Sequence, residues 1–86
     1  MAEQEVFNKV VEILSPYAKD KDALAAVTSE TKILTDLKVN SSRLVDVILA
    51  FEDEFDIEIG DDDARSVETV GKAVEMISGI LMARAG

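Results

Sequence analysis

Three stretches of this chain repeat one apolar rhythm, and that rhythm limits the possible folds more than any other feature. Val6, Val10, Ile13 and Tyr17 stand at i, i+4, i+7 and i+11; Leu44, Ile48, Phe51 and Phe55 repeat the spacing, and so do Val70, Val74, Ile77 and Leu81. A period of about 3.6 residues puts each set on one side of a helix. Helices of this length gain most of their stability by burying such stripes against one another. Phe7, Val11 and Leu14 widen the first stripe, and Ala73 and Ile80 support the third. A shorter helix is expected from Asp61 to about Arg65, where three successive aspartates suit the positive end of a helix. The expected fold is therefore all-α: a small four-helix bundle of three long helices and one short one, with a long loop between helices 1 and 2. Eighty-six residues leave no room for a second core, so residues 1–86 are expected to form one domain.

The ends of the helices follow from local chemistry. The first is expected from about Glu3 to between Leu14 and Ala18, with an end near Ser15 to Lys19, because Pro16 lacks an N–H and clashes with the carbonyl of Glu12. Lys19 to Lys38 forms the connection, with one turn of helix around Asp22 to Val27 and with Ile33, Leu34 and Leu37 pinning the rest to the bundle. The second long helix should start at Asn40 to Ser42, all favoured capping residues, and end near Asp56. Asp56-Ile57-Glu58-Ile59 alternates like a strand but has nothing to pair with, so it is expected as an extended linker that tucks Ile57 and Ile59 into the core before a turn at Gly60. Thr69 is the expected cap of the last helix. Gly71 and Gly79 weaken that helix and permit close approach of a neighbour, and Ala83 to Gly86 are expected to fray.

The residue types that are missing exclude whole classes of chemistry. The chain contains no Cys and no His, which rules out disulfides, thiolate metal sites and His-assisted nucleophilic catalysis. A serine here serves as an attachment point or a helix cap, since nothing activates it as a nucleophile. No catalytic residue is expected, and the chain is not expected to be an enzyme. The segment MAEQEVFNKVVEIL has charges among its apolar residues, so no secretory or transit signal is expected, and no apolar run reaches the roughly 18 residues of a membrane span. A cytoplasmic protein is the resulting expectation. Asn40-Ser41-Ser42 fits the N-glycosylation pattern, which has no bearing without secretion.

Ser41, Val45 and Leu49 follow at i, i+4 and i+8, a second line running beside the stripe of Leu44, Ile48, Phe51 and Phe55. Either this line is the edge of a wide core stripe, or it is an exposed apolar strip beneath a hydroxyl. The net charge of −9 is concentrated just below it: nine acids and no cation lie between Asp46 and Asp63. That charge repels nucleic acid and favours basic protein partners. It does not form a calcium loop, because Gly60 at the loop's sixth position would place Phe55, Ile57 and Ile59 at ligand positions. No metal ligand is assigned, and a solvated acidic face is the simple reading of the acids.

The serine followed by V-D-V-I-L-A-F-E-D-E-F-D-I-E-I resembles the carrier-serine helix of acyl carrier proteins. T-K-I-L-T-D-L ahead of it and S-V-E-T-V-G-K-A-V-E-M-I after it are also similar, so the likeness covers most of the chain and is most specific from Leu37 to Ile59. The family's Asp-Ser-Leu pattern falls on Asn40, Ser41 and Ser42. The resemblance implies a discrete carrier that bears 4'-phosphopantetheine on Ser41, with Ser42 as the second choice, and that holds acyl groups as thioesters. It implies a phosphopantetheinyl transferase and the acyl-transfer and acyl-modifying enzymes of fatty-acid, polyketide or related lipid metabolism as partners of a monomeric chain. Their basic surfaces would dock on Val45, Asp46, Leu49, Glu52 and Asp53, and cargo could fold between the helices. Asn40 replaces a carboxylate and Arg43 stands where the family often has an acid, which implies a specialised carrier with its own partner set. The alternatives are an unmodified acidic helical adaptor for a basic protein and an aminoacyl or peptidyl carrier.

Overall fold

The computed structural model describes residues 3–65 and 67–85, except for the side chains of 84 and 85. Its helices are α1 (Glu3–Leu14), α2 (Lys21–Ala25), α3 (Leu44–Phe55), α4 (Asp61–Arg65) and α5 (Val70–Ala85), with a 3-10 turn at Ser41–Arg43 leading into α3. Among the described residues the chain is helical and has no named strand. The three long helices and the short α4 are those expected; α2 realises the turn of helix foreseen near Asp22, so two short helices accompany the three long ones. No helix among the described residues is long and apolar enough to cross a membrane.

α1 lies against both α5 and α3, and the three stripes meet in one core. Val6, Val10 and Leu14 of α1, Val47 and Phe51 of α3, and Val70, Ala73 and Ile77 of α5 are wholly out of solvent. The stripes are rotated slightly from the expected ones. In α3, Val47 is buried and Leu44 only partly, because the helical turn holding Leu44 is the exposed first turn. In α1 the deepest residue of the last turn is Leu14, with Ile13 and Tyr17 packed at the edge. The regular part of α1 ends at Leu14, the first of the expected limits and one residue before the favoured Ser15 to Lys19. Ser15 shares its N–H between the carbonyls of Val11 and Glu12, and Pro16 has none to give, so the ladder tightens into a turn.

The long connection is held by backbone as much as by side chains. Asp20 caps α2 by accepting from the Ala23 N–H at 3.0 Å. Ile33 and Leu37 are fully buried as expected, whereas Leu34 is 38% exposed and Val39 replaces it as the third pin. An isolated antiparallel bridge joins Lys32 to Thr69: Ile33 N donates to Glu68 O at 3.0 Å and Val70 N to Thr31 O at 2.9 Å. The extended linker after α3 buries Ile57 and packs Ile59 against the core. Asp56 closes α3 in the left-handed region at φ 53°, and Gly60, which has no positive φ, opens the first turn of α4, its carbonyl accepting from Ala64 N at 2.9 Å. Thr69 caps α5 through Oγ1, which accepts from Lys72 N at 3.1 Å. Ser66, which opens the S-V-E-T-V run, and Gly86, the end of the tail expected to fray, lie outside the described residues.

The two glycines of α5 differ. A Cβ on Gly71 would stand 2.7 Å from the Ser29 carbonyl oxygen, which accepts the Gly71 N–H at 2.8 Å, whereas a Cβ on Gly79 would meet nothing within 4 Å. Gly71→Ala is therefore expected to lower stability by about 1–3 kcal/mol through overpacking, and Gly79→Ala to raise it by about 0.5–1 kcal/mol. Urea titration of the two variants checks this.

α1 and α3 are also tied by Lys9, whose Nζ lies 2.8 Å from Glu54 Oε1. The hydrogen bond that Lys9 donates to Glu54, then the charge of that carboxylate, raise the Lys9 pKa above the ordinary 10.5. A raised lysine pKa adds stability that is complete below the unfolded value and is lost as pH climbs through the folded one. The Tm gap between the native chain and Lys9→Gln should thus be constant across neutral pH and close above pH 10.5.

Candidate functional site

The start of α3 is shaped by three polar residues with separate duties. Asn40 has extended backbone, and its side-chain oxygen accepts from the Ser42 N–H at 3.0 Å, the standard way to satisfy an orphan donor at a helix start. The same oxygen accepts from the Ser42 hydroxyl at 2.9 Å. Ser42 is thus tied to the cap through both its N–H and its Oγ. Ser41 stands between them, exposed, and its hydroxyl forms no hydrogen bond among the described residues. Ser41 and Ser42, two candidates from composition, are unequal in geometry. Just upstream, Lys38 occupies the left-handed region at φ 57°, so the chain bends sharply before it presents the serine.

Below Ser41, Val45 is 66% and Leu49 53% exposed, which places the second line outside the core. Both belong to the wall of a groove of about 380 Å³ between α3 and α4, with Ser41 at one end. Leu44 and Ile48 form its floor side, Ile59 and Ala64 its far wall, and Glu52 and Arg65 its polar margin. The groove exists because the linker from Asp56 to Gly60 holds α4 alongside α3, and one contact fixes that linker to the helix: Ile59 N donates to Glu52 Oε2 at 2.8 Å.

The acids expected to meet partners are in different states. Asp46 accepts from Arg43 Nη1 at 3.2 Å, an exposed pair one helical turn apart. Opposite charges at i and i+3 make that pair legible from sequence. Glu52 is half-buried and holds the linker, a role for which no local sequence pattern gives a sign. Asp53 is exposed on the same flank as Leu49, one turn on. Asp61, Asp62 and Asp63 open α4, and among the described residues no three carboxylates come together as a metal cradle.

Glu52→Ala should cost about 1.5–3 kcal/mol, because it strips a charged acceptor from a part-buried N–H. Asp53→Ala, which removes no such bond, should be near neutral. Thermal unfolding of the pair separates the structural acid from the surface one.

No protein-family model matches the chain. It is 42% identical over 78 residues to an acyl carrier protein of Lactobacillus acidophilus, covering 90% of this chain and 94% of that one. It is 41% identical over 75 residues to an acyl carrier protein of a Picosynechococcus species, covering 87% and 90%. Among solved structures, an acyl carrier protein from Enterococcus faecalis superposes with a TM-score of 0.76 at 38% identity, over 93% of this chain and 99% of the other.

Proposed function

The chain belongs to the acyl carrier protein family as a discrete carrier of acyl groups, and on that premise we propose that Ser41 is the residue that bears 4'-phosphopantetheine. One observation carries the assignment. Asn40 supplies the cap and Ser42 is spent on it, while the Ser41 hydroxyl is exposed and forms no hydrogen bond among the described residues. A group attached there would sit at the positive end of a helix, where a phosphodiester is electrostatically favoured. The residues present fit the arm in a second way, since the groove that starts at Ser41 is lined mainly by aliphatic side chains. When bound, the arm would supply the thiol that this Cys-free chain lacks, and so hold an acyl group as a thioester.

The chain's own residues then have three tasks. Ser41 anchors, Val45 and Leu49 offer an apolar contact beside the anchor, and Asp46, Glu52 and Asp53 offer charge to a basic surface. A contact of this kind forms fast and releases easily, as a carrier that visits several enzymes requires. The partners proposed are a phosphopantetheinyl transferase and cytoplasmic acyl-transfer and acyl-modifying enzymes. The groove walled by Leu44, Ile48, Ile59 and Ala64 is the proposed shelter for part of the cargo.

The test is loading of the apo chain with coenzyme A by a phosphopantetheinyl transferase, followed by intact mass. The native chain and Ser42→Ala are expected to gain one arm, and Ser41→Ala none. Loading of Ser41→Ala, or an arm mapped by peptide fragmentation to any other residue, overturns the assignment. An unmodified mass for the protein taken from its native cells would favour the adaptor instead.

A further inference from the structure

The far wall of the groove has little of its own to stand on. α4 has five residues, buries none of them and packs only sparsely on the other helices, with Ala64 partly set against the core. A helix so short is not stable by itself. Its place is fixed by the chain on either side: Val67 is buried behind it, and the linker ahead of it is fastened to α3. That fastening runs through one residue. The Glu52 carbonyl accepts from Asp56 N, which closes α3, and from Ile57 N at 3.1 Å, and the Glu52 carboxylate accepts from Ile59 N at 2.8 Å. Any residue at this position would offer the carbonyl, but the third bond needs a side chain with an acceptor at that reach. Ile59 lines the groove, and Gly60, next in the chain, offers the carbonyl on which the first turn of α4 closes. No ion pair among the described residues involves Glu52, so its hold on the wall is the bond to Ile59.

We infer that Glu52 is a positioning residue for the cargo: its side-chain oxygen holds Ile59 and α4 beside α3, and so keeps the groove narrow enough to shelter an aliphatic chain borne on Ser41. The inference rests on the carrier role of Ser41 and on the groove as the shelter, both proposed above. The acceptor matters here more than the charge. Without it the Ile59 N–H turns to water for a partner, and the wall that follows loses its tie to α3. An apolar chain is held in place by the exclusion of water from its surface, so a wall that withdraws leaves one side of the chain wet. A cargo too short to enter the groove has nothing to lose. Glu52 also stands on the flank proposed for docking. Its two duties are separable, because Gln keeps an acceptor oxygen and discards the charge.

The experiment loads Ser41 from octanoyl- or acetyl-coenzyme A with a phosphopantetheinyl transferase, then follows cleavage of the thioester by hydroxylamine, which takes the acyl group as the hydroxamate and frees the thiol. Loading is run to completion first, so any loss of docking does not enter the rate. Glu52→Ala is expected to speed octanoyl cleavage about 10-fold and Glu52→Gln no more than about 3-fold, with acetyl cleavage unchanged in both. Gly71→Ala, whose overpacking against Ser29 lies outside the groove, should cleave octanoyl at the native rate, which separates an opened wall from a general loss of stability. A second readout needs no arm: amide exchange at Ile59 and Ala64 should rise about 10-fold in Glu52→Ala, and stay near native in Glu52→Gln and Gly71→Ala. Octanoyl cleavage in Glu52→Ala at the native rate, Glu52→Gln or Gly71→Ala as fast as Glu52→Ala, or acetyl sped as much as octanoyl, overturns the inference. If no form takes the arm at Ser41, the assignment of Ser41 falls, and exchange at Ile59 and Ala64 alone decides the role of Glu52.

Discussion

Everything at the surface of this protein depends on how α3 is rotated about its own axis, and that rotation is set by Phe51. It is the largest side chain wholly removed from solvent, and Val47, Ile48 and Phe55 are buried with it against α1 and the rest of the core. Among the described residues no polar or charged residue belongs to the buried core, and the buried Ser78 Oγ makes no hydrogen bond, so the core is specified by shape and by the width of the apolar stripe. With Phe51 inward, Val45 and Leu49 have nowhere to go but outward. The exposed apolar strip is a by-product of the stripe that hides the other side of the helix.

The same helix start shows how capping and availability are divided. A helix needs its first N–H groups satisfied, and Asn40 does this with one oxygen that accepts both the N–H and the hydroxyl of Ser42. Had Ser41 been the cap, its Oγ would have been occupied by the backbone and turned toward the helix. Placing the cap one residue earlier frees the next hydroxyl at the most electropositive point of the segment. That division also answers how Asn can stand where the family usually has Asp: the amide oxygen performs the capping as a carboxylate would, although it brings no charge.

Most of the architecture was legible in the sequence, and what was missed has identifiable causes. Periodicity located the three long helices, the Thr69 cap and the inward Ile57 and Ile59, because each is dictated by residues near it in the chain. Periodicity gives the direction of a helix face but not its centre, which is why Leu44 exchanged places with Val47. Leu34 and Val39 were exchanged for a related reason, since a loop has no period from which burial can be read. The left-handed turn at Asp56 was not foreseen, because glycine is the residue type that ordinarily signals that conformation. At the site, spacing aligned Ser41, Val45 and Leu49 but left open whether the line was the edge of the core or exposed, which only the packing of α3 decides. The role of Glu52 could not, because its partner is a main-chain N–H seven residues away whose position depends on the linker's path.

The bridge between Lys32 and Thr69 has a bearing on how such a chain can change over time. The loop is fastened to the start of α5 by peptide groups, at Ile33, Glu68, Thr31 and Val70, and peptide groups are common to every residue but proline. Substitutions at the outward positions of this segment are therefore cheap, and the spelling of the loop is free to drift. Its length is not: one residue gained or lost between the bridge and Asn40 would shift the point at which the chain arrives at the serine.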